Sequence, residues 1–192
     1  MQAMSSLYQA NLAAAVSALE RAAALEPCIE AAADVIAECY RAGGKLLVCG
    51  NGGSAAEAGH LATEFVVRFL ADRRALPAIN LTASGADLTA VGNDYRFEEI
   101  FSRQVEAYGQ PGDVLVSFSA SGNSENVRLA LAAAAERGMK AVSLLGRDGG
   151  ACAGLGTVDI LVAEQVTARI QEVHLLILHT LCGLVEQRLF TT

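Results

Sequence analysis

Five short apolar runs alternate with longer segments of helical periodicity, and this alternation limits the possible folds more than any other feature. The runs are KLLVCG at 45–50, PAINLT at 77–82, DVLVSFS at 113–119, KAVSLLG at 140–146 and VDILVAE at 158–164. Continuous apolar runs of this length are typical of parallel strands that are buried on both faces and connected by helices. The sequence therefore predicts an α/β protein, a three-layer αβα sandwich with a central parallel sheet.

Further helices are predicted at both ends of the chain. Amphipathic Ala/Leu patterns predict helices over 5–26 and 28–42, with a break near Pro27 and an end at AGG in 42–44. A long helix that is apolar on several sides is predicted from about Ala168 to Phe190. The 192 residues, 53% of them hydrophobic, fit a single domain over 1–192. We expect a homo-oligomer in which the helices of 1–43 contribute to packing between subunits.

Charge and segment composition exclude several classes of partner. The net charge is −7, and no cluster of Lys and Arg could neutralise several phosphates, so nucleic acid is not expected as a partner. The first residues lack a basic segment followed by an apolar core, and no later stretch has 18 uncharged apolar residues. We therefore expect a cytoplasmic protein without a membrane partner. The five cysteines form no CxxC pair and indicate reduced core residues.

Small polar residues follow two of the predicted strands. CGNGGS occupies 49–54, and SFSASGNSENV occupies 117–127 and leads into a helix that begins at about Asn126. Hydroxyl groups and free N–H groups at a helix N-terminus suit a phosphate. Neither a GxxxxGK[ST] motif nor a GxGxxG motif with its acidic partner is present, which argues against a nucleoside triphosphatase and a dinucleotide site. The pattern favours a small phosphorylated metabolite, with a serine-rich helix cap that binds no ligand as the alternative.

All three histidines fall in two predicted helices. Ser54 begins SAAEAGHLATEFVVRFL, which places His60 and Glu64 one turn apart, with Glu57 on the same face. The last helix carries Gln171, His174 and His179. A His/Glu pair one turn apart suits a metal or a surface hydrogen bond, and an apolar-flanked histidine is commonly a core residue. Gln171 and His179 are about 12 Å apart along the helix axis and could share an ion only by leaning together.

Four strings carry a family resemblance over nearly the whole chain. They are CGNGGSAAEAGHLATEF, AVGNDYRFEEIFSRQVEAYGQPGDVL, SASGNSENV and ARIQEVHLLILH, and they resemble the sugar isomerase (SIS) domain family. The resemblance implies an enzyme that interconverts D-sedoheptulose 7-phosphate and D-glycero-D-manno-heptose 7-phosphate, toward the heptose of lipopolysaccharide. It also implies a homotetramer with one zinc ion per subunit.

The resemblance further implies roles for particular residues. The implied zinc ligands are His60, Glu64, Gln171 and His179. Glu64 and His179 would be the catalytic acid/base pair. Implied contacts to the substrate come from Glu64, Gln171 and a set of loop residues: Asn51, Gly52, Gly53, Asn93, Asp94, Ser119, Ala120, Ser121 and Ser124. Ala120, Ala168 and Glu57 depart from residues seen in relatives, but none of these changes removes a proposed ligand or acid/base group.

Two other functions stay open within the same fold. One is a non-catalytic adaptor that binds the bacterial replication initiator DnaA and shares the CGNGGSA and ARIQE strings. That relative lacks the carboxylate and the histidine that stand here as Glu64 and His179. The other is a sugar-phosphate-sensing domain of a regulator, which is less favoured because no DNA-binding segment flanks the domain.

Overall fold

The computed structural model describes residues 6–190, which form a central parallel sheet between two layers of helices. The strands are β1 (Leu46–Gly50), β2 (Ala78–Asn80), β3 (Val114–Ser119), β4 (Lys140–Gly146) and β5 (Val158–Val162). Their order in the sheet is β2-β1-β3-β4-β5, and every neighbouring pair is parallel. All five predicted strands are confirmed. The run at 77–82 contributes only three strand residues.

Seven α-helices lie within the described residues. They are α1 (Leu7–Arg21), α2 (Glu26–Arg41), α3 (Gly53–Val66), α4 (Gly85–Asp94), α5 (Ser102–Tyr108), α6 (Glu125–Glu136) and α7 (Thr167–Phe190). Alternate strand residues face opposite layers. Leu46 and Val48 of β1 pack with α2, α3 and α7, whereas Leu47 and Cys49 pack with α5 and α6. The three-layer αβα architecture is therefore confirmed.

Three predicted helix boundaries are wrong. The first helix ends at Arg21 rather than at residue 26, and a 3₁₀ turn at Ala22–Leu25 follows it. The second helix begins at Glu26 rather than at residue 28, so Pro27 lies in its first turn, where the missing N–H costs nothing. Residue 5, the predicted start of the first helix, lies outside the described residues. The helix predicted to run from residue 54 to residue 70 begins at Gly53 and ends at Val66, where tertiary hydrogen bonds replace the helical ones.

The α7 helix is long and apolar enough to cross a membrane by length and composition alone. It packs instead against α2 and α3, and its buried residues include Ile170, Val173, Ile177 and Leu181. A helix in the core of a folded domain has the same composition, because its apolar residues meet protein rather than lipid. The packing explains the apolar character of α7 within this domain.

Candidate functional site

The glycine-rich turn after β1 brings α3 close to α7. Gly52 has φ of 56°, in the left-handed region that glycine adopts without strain, and α3 begins at the next residue. A Cβ atom at Gly53 would lie 2.2 Å from the Gln171 Nε2 atom. A side chain at Gly53 would therefore displace the Gln171 amide from the turn, whereas Gly52 is required for the backbone conformation.

The serine-rich turn after β3 lies beside the glycine turn, because β1 and β3 are neighbours in the sheet. The Ser119 hydroxyl donates to the Ser124 hydroxyl over 3.1 Å, and Ser124 caps α6, which begins at Glu125. The amides of Asn51 and Asn126 exchange two hydrogen bonds of 2.8 and 2.9 Å. This reciprocal pair fixes the two turns against each other at the carboxyl edge of the sheet.

A cavity of about 250 Å³ lies between the two turns and α7. Its lining comprises Asn51, Gly53, Ser54, Phe118, Ser119, Ala120, Ser121, Ser124, Thr167 and Gln171. Within residues 6–190, the backbone N–H groups of Ser121 and Ser124 have no protein acceptor. Free N–H groups and hydroxyls at the start of a helix attract an anion. The cavity can therefore hold a phosphate group at this end.

The two histidine-bearing helices bring the predicted acid/base residues together. The Nε2 atom of His60 lies 3.1 Å from Oε1 of Glu64 and 3.4 Å from Nε2 of His179. His60 and Glu64 are partly exposed, with 39% and 22% of their side-chain surfaces accessible. The His60 and Glu64 side chains thus lie beside α7 but remain accessible to solvent.

The donor set of His60, Glu64 and His179 suits zinc. Zinc lies about 2.0–2.1 Å from histidine nitrogen, so two ligands of a tetrahedral site are about 3.3 Å apart, close to the observed separations. The contacts to Glu64 and to His179 both involve His60 Nε2. This nitrogen carries at most one proton, so it can donate to only one of the two partners. Within the described residues, however, the side chains as placed form no group of three or more His, Cys, Asp or Glu that could hold a metal ion.

Gln171 and Glu57 do not join this cluster. Gln171 lies against Gly53 and lines the cavity, two helical turns before His179. Glu57 lies one turn before His60 and also faces α7, where its carboxylate is 3.9 Å from Nδ1 of His174. Both Glu57 and His174 are buried, and their polar side-chain atoms have no hydrogen-bond partner among the described residues. His174 is thus a core residue rather than part of the open face.

Asn93 and Asp94 lie apart from the cavity. They are the last two residues of α4, both are exposed, and the Asn93 amide donates to the Asp94 carboxylate over 2.8 Å. Gly52 lines a neighbouring cavity with Asn51, Thr82 and Phe97. Of the implied substrate contacts, Asn51, Gly53, Ser119, Ala120, Ser121, Ser124 and Gln171 line the cavity in this chain.

The cysteines do not contribute reactive groups to the site. All five are free thiols, and four of them are buried. Burial raises the pKa of the Cys39 thiol to about 11, and burial also raises the pKa values of Cys49 and Cys182. A thiol must lose its proton to act as a nucleophile or metal ligand, so these groups are inert near neutral pH.

Several residues at the site escaped prediction from the sequence. Asn126 pairs with Asn51, and Thr167 lines the cavity at the start of α7. The ring of Phe69 stacks on His179, with centroids 5.7 Å apart and an interplanar angle of 15°. Only the position of Asn126 beside a helix start gave any signal, because the other contacts join segments that are distant in the chain.

Comparison with known proteins agrees with this architecture. A family model described as the SIS domain matches residues 8–146, so the chain belongs to the SIS domain family. A phosphoheptose isomerase from Geobacter sp. (strain M21) is 54% identical over 166 residues, which cover 86% of each chain. The identity and the coverage place the chain within the phosphoheptose isomerase family.

Solved structures with this fold include two phosphoheptose isomerases. The structure from Neisseria gonorrhoeae has a TM-score of 0.87 and 43% sequence identity, and the match covers 93% of this chain and 96% of that one. The structure from Francisella tularensis has a TM-score of 0.91 and 39% identity, covering 96% of this chain and all of that one. The likeness therefore extends over nearly the whole chain.

Proposed function

We propose that this chain is an aldose–ketose isomerase that converts D-sedoheptulose 7-phosphate to D-glycero-D-manno-heptose 7-phosphate for lipopolysaccharide heptose biosynthesis. One observation carries the proposal: α3 and α7 present a carboxylate and two imidazoles on a face that continues from an anion-binding cavity. The relative from Geobacter sp. (strain M21) and the two solved structures described above are phosphoheptose isomerases. A phosphorylated seven-carbon sugar has its phosphate and its reacting carbonyl at opposite ends, as such a site requires.

The phosphate would bind in the serine turn. The Ser119, Ser121 and Ser124 hydroxyls and the free N–H groups at the start of α6 surround that end of the cavity. The turn has no lysine, so the helix dipole and neutral donors would supply the attraction. The sugar chain would then extend along α3 from Gly53 toward His60, a distance of about 10 Å along the helix axis.

Glu64 and His179 would move the protons. Isomerisation transfers a proton between C1 and C2 through an enediol, which needs a base beside the carbons and an acid beside the oxygens. The Glu64 carboxylate would take the proton from one carbon and return it to the other. His179 would exchange a proton with the sugar oxygens as a general acid and base.

Zinc is proposed as the cofactor, one ion per subunit. His60, Glu64 and His179 would hold it. Gln171 lines the cavity two turns before His179, so its amide is proposed to contact the sugar, and it would serve as the fourth donor only by leaning toward His179. Bound zinc would act as a Lewis acid and stabilise negative charge on a sugar oxygen. The separations between His60 and its two neighbours support this assignment.

A homotetramer in the cytoplasm is the proposed form of the enzyme. Apolar side chains of α1 and α7 are exposed on the single chain, including Leu7, Tyr8, Leu12, Val16 and Leu176. Several exposed apolar side chains on neighbouring helices favour an interface between subunits. The DnaA adaptor has no observation in its favour, since this chain retains both Glu64 and His179.

The direct test is to incubate the purified protein with D-sedoheptulose 7-phosphate and follow the aldose product by NMR. We expect the aldose signals to grow to an equilibrium mixture, and the Glu64→Gln variant to form it far more slowly. A wild-type protein that assembles as a tetramer yet forms no aldose would contradict the proposal and favour the adaptor.

A further inference from the structure

A buried ion pair connects the segment after α3, the helix that carries Glu64, with α7, the helix that carries His179. The Arg73 Nε atom donates to Oε1 of Glu186 over 2.9 Å, and the two side chains are 1% and 6% exposed. A buried pair is stable only when further hydrogen bonds satisfy both charged groups. The other hydrogen-bond partners of Arg73 lie in the last turn of α3, and those of Glu186 lie in the segment that follows it.

Arg73 holds the end of α3. Its Nη2 atom donates to the Glu64 carbonyl and its Nη1 atom to the Phe65 carbonyl, each over 2.8 Å. These carbonyls are in the last turn of α3, where no intrahelical donor can reach them. The guanidinium therefore caps the helix at the residue that supplies the carboxylate, and fixes the backbone from which the Glu64 side chain extends.

Glu186 holds the segment that follows α3. Its carboxylate accepts the N–H groups of Phe69, Leu70 and Ala71 over 2.9–3.1 Å. The Phe69 ring stacks almost parallel on the His179 imidazole. A Cβ atom on Gly183, one turn beyond His179, would be in ordinary contact with this ring at 3.7 Å. Glu186 thereby fixes the ring that orients His179.

We propose that Arg73 and Glu186 are positioning residues that set Glu64 and His179 for proton transfer. Arg73 acts through the Glu64 backbone, and Glu186 acts through the Phe69 ring. The proposal rests on the isomerase function proposed above and deepens it. Proton transfer requires reacting groups in near-contact geometry, and a misplacement of about 1 Å can lower the rate by about 100-fold. Neither residue needs to touch the substrate for this effect.

The kinetic test compares the pair with a second ion pair far from the site, in which the carboxylate is buried and the lysine is partly exposed. Glu186→Gln and Arg73→Lys preserve side-chain size but weaken the network. The matched control is Asp113→Asn, because the Asp113 carboxylate is likewise buried, accepts the Lys45 and Gln110 N–H groups, and pairs with the Lys45 amine. Asp113 precedes β3, so it lies at the amino ends of the parallel strands, whereas the cavity lies at their carboxyl ends.

We expect both pair variants to lower kcat by about tenfold or more, with KM within about twofold of wild type, when assayed well below their melting temperatures. Asp113→Asn should lose stability but keep kcat within about twofold. A folded Glu186→Gln enzyme with wild-type kcat would overturn the proposal. An equal fall of kcat in Asp113→Asn would also overturn it, since the effect would then follow general destabilisation.

A second readout does not depend on activity or on bound metal. The chain has only three histidines, so their ring signals can be resolved by NMR in the metal-free protein. Phe69→Leu removes the stacked ring without touching the ion pair, whereas Phe69→Tyr keeps it. We expect the His179 ring signals to shift in Phe69→Leu and Glu186→Gln but not in Phe69→Tyr, and kcat to fall in the same two variants.

Unshifted His179 signals in Phe69→Leu and Glu186→Gln would overturn the role of Glu186. If Glu186→Gln does not fold, unshifted His179 signals in Phe69→Leu alone overturn the role of Glu186, because Glu186 acts through the Phe69 ring. A wild-type protein without isomerase activity would refute the proposed function, while the NMR comparison would still report whether Glu186 and Phe69 orient His179.

Discussion

The Nε2 atoms of His60 and His179 lie 3.4 Å apart, although 119 positions separate the two residues in the chain. The reason is that α3 and α7 run side by side in the same direction. Gly53 meets Gln171, Glu57 meets His174, and His60 meets His179 as the two helices proceed. Side chains at matching levels of the two helices therefore meet, which brings His179 to His60 and Glu64.

Zinc content tests this cluster. We expect purified protein to contain about one zinc per chain, because nitrogen and carboxylate donors at these separations suit that ion. His179→Ala should weaken the metal and reduce activity together, as measured by elemental analysis and a chelator titration. Cys28→Ser is the matched control, since Cys28 is an exposed thiol that could bind zinc adventitiously. A wild-type enzyme that is fully active without stoichiometric metal would contradict the assignment.

Glu64→Gln tests the base. The amide fills the same space but cannot accept the proton from carbon, so kcat should fall by about 10²- to 10⁴-fold. Circular dichroism and sedimentation should match wild type. Glu125→Gln serves as control, because Glu125 is exposed at the start of α6 and pairs with Arg128 at the surface. A Glu64→Gln enzyme that turns over at the wild-type rate would show that the carboxylate is structural.

The sheet could be predicted from the sequence because its signal is local. A buried parallel strand must be apolar along its whole length, and β1, β3 and β4 are buried throughout or nearly so. The end of α3 could not be predicted in the same way. The apolar pattern continues past Val66, but Glu186, which lies 117 positions after Phe69, captures the N–H groups that would have continued the helix. Local pattern cannot reveal so distant an acceptor.

The site was predictable to a similar extent. His60 and Glu64 could be singled out because a one-turn spacing on one helix places two side chains on one face. Glu57 also lies on the side of α3 that meets α7, but it is buried against His174, whereas His60 and Glu64 are partly exposed. Arg73 gave no signal, because an arginine in a charged, loop-like segment is normally solvated. Its burial depends on the position of α7, which sequence periodicity does not specify.

Ser121→Ala tests phosphate binding. The variant loses a hydroxyl donor to a charged group, worth about 1.5–3 kcal/mol, so KM should rise by about 10- to 160-fold while kcat changes less. Ser84→Ala is the control, because Ser84 caps α4 by accepting the Asp87 N–H and does not line the cavity. Unchanged KM in Ser121→Ala would count against the serine turn as the phosphate site.

The pH dependence of stability tests the buried carboxylate of Glu186. Burial opposes ionisation, but three backbone N–H groups and Arg73 outweigh it and lower the pKa of Glu186 below its usual value. A lowered pKa contributes stability that is present above the unfolded-state pKa and is lost as the pH falls through the folded-state pKa. Glu186→Gln should therefore unfold more easily than wild type at pH 7, by about 3 kcal/mol or more. The difference should shrink in urea titrations carried out below about pH 4.5. A gap independent of pH would contradict the ionised pair.

The apolar face of α7 leads to a prediction about assembly. A groove of about 470 Å³ runs between the N-terminal helices and α7, lined by Leu19, Ile29, Leu176 and Leu184 among others. Leu176 is 47% exposed on the single chain, and burial of such side chains between subunits would be favourable. Sedimentation at micromolar concentration should give a species of four times the 19.9 kDa chain mass.

Leu176→Glu should shift this tetramer toward smaller species, because a charged side chain is costly to bury in an apolar interface. Leu155→Glu is the matched control, since Leu155 is similarly exposed but lies between β4 and β5, away from α1 and α7. If wild type sediments as a clean monomer, or if both variants assemble as wild type does, the groove is not a subunit interface. Tetramer loss in Leu176→Glu alone would place the contact on α7, the helix that also carries His179.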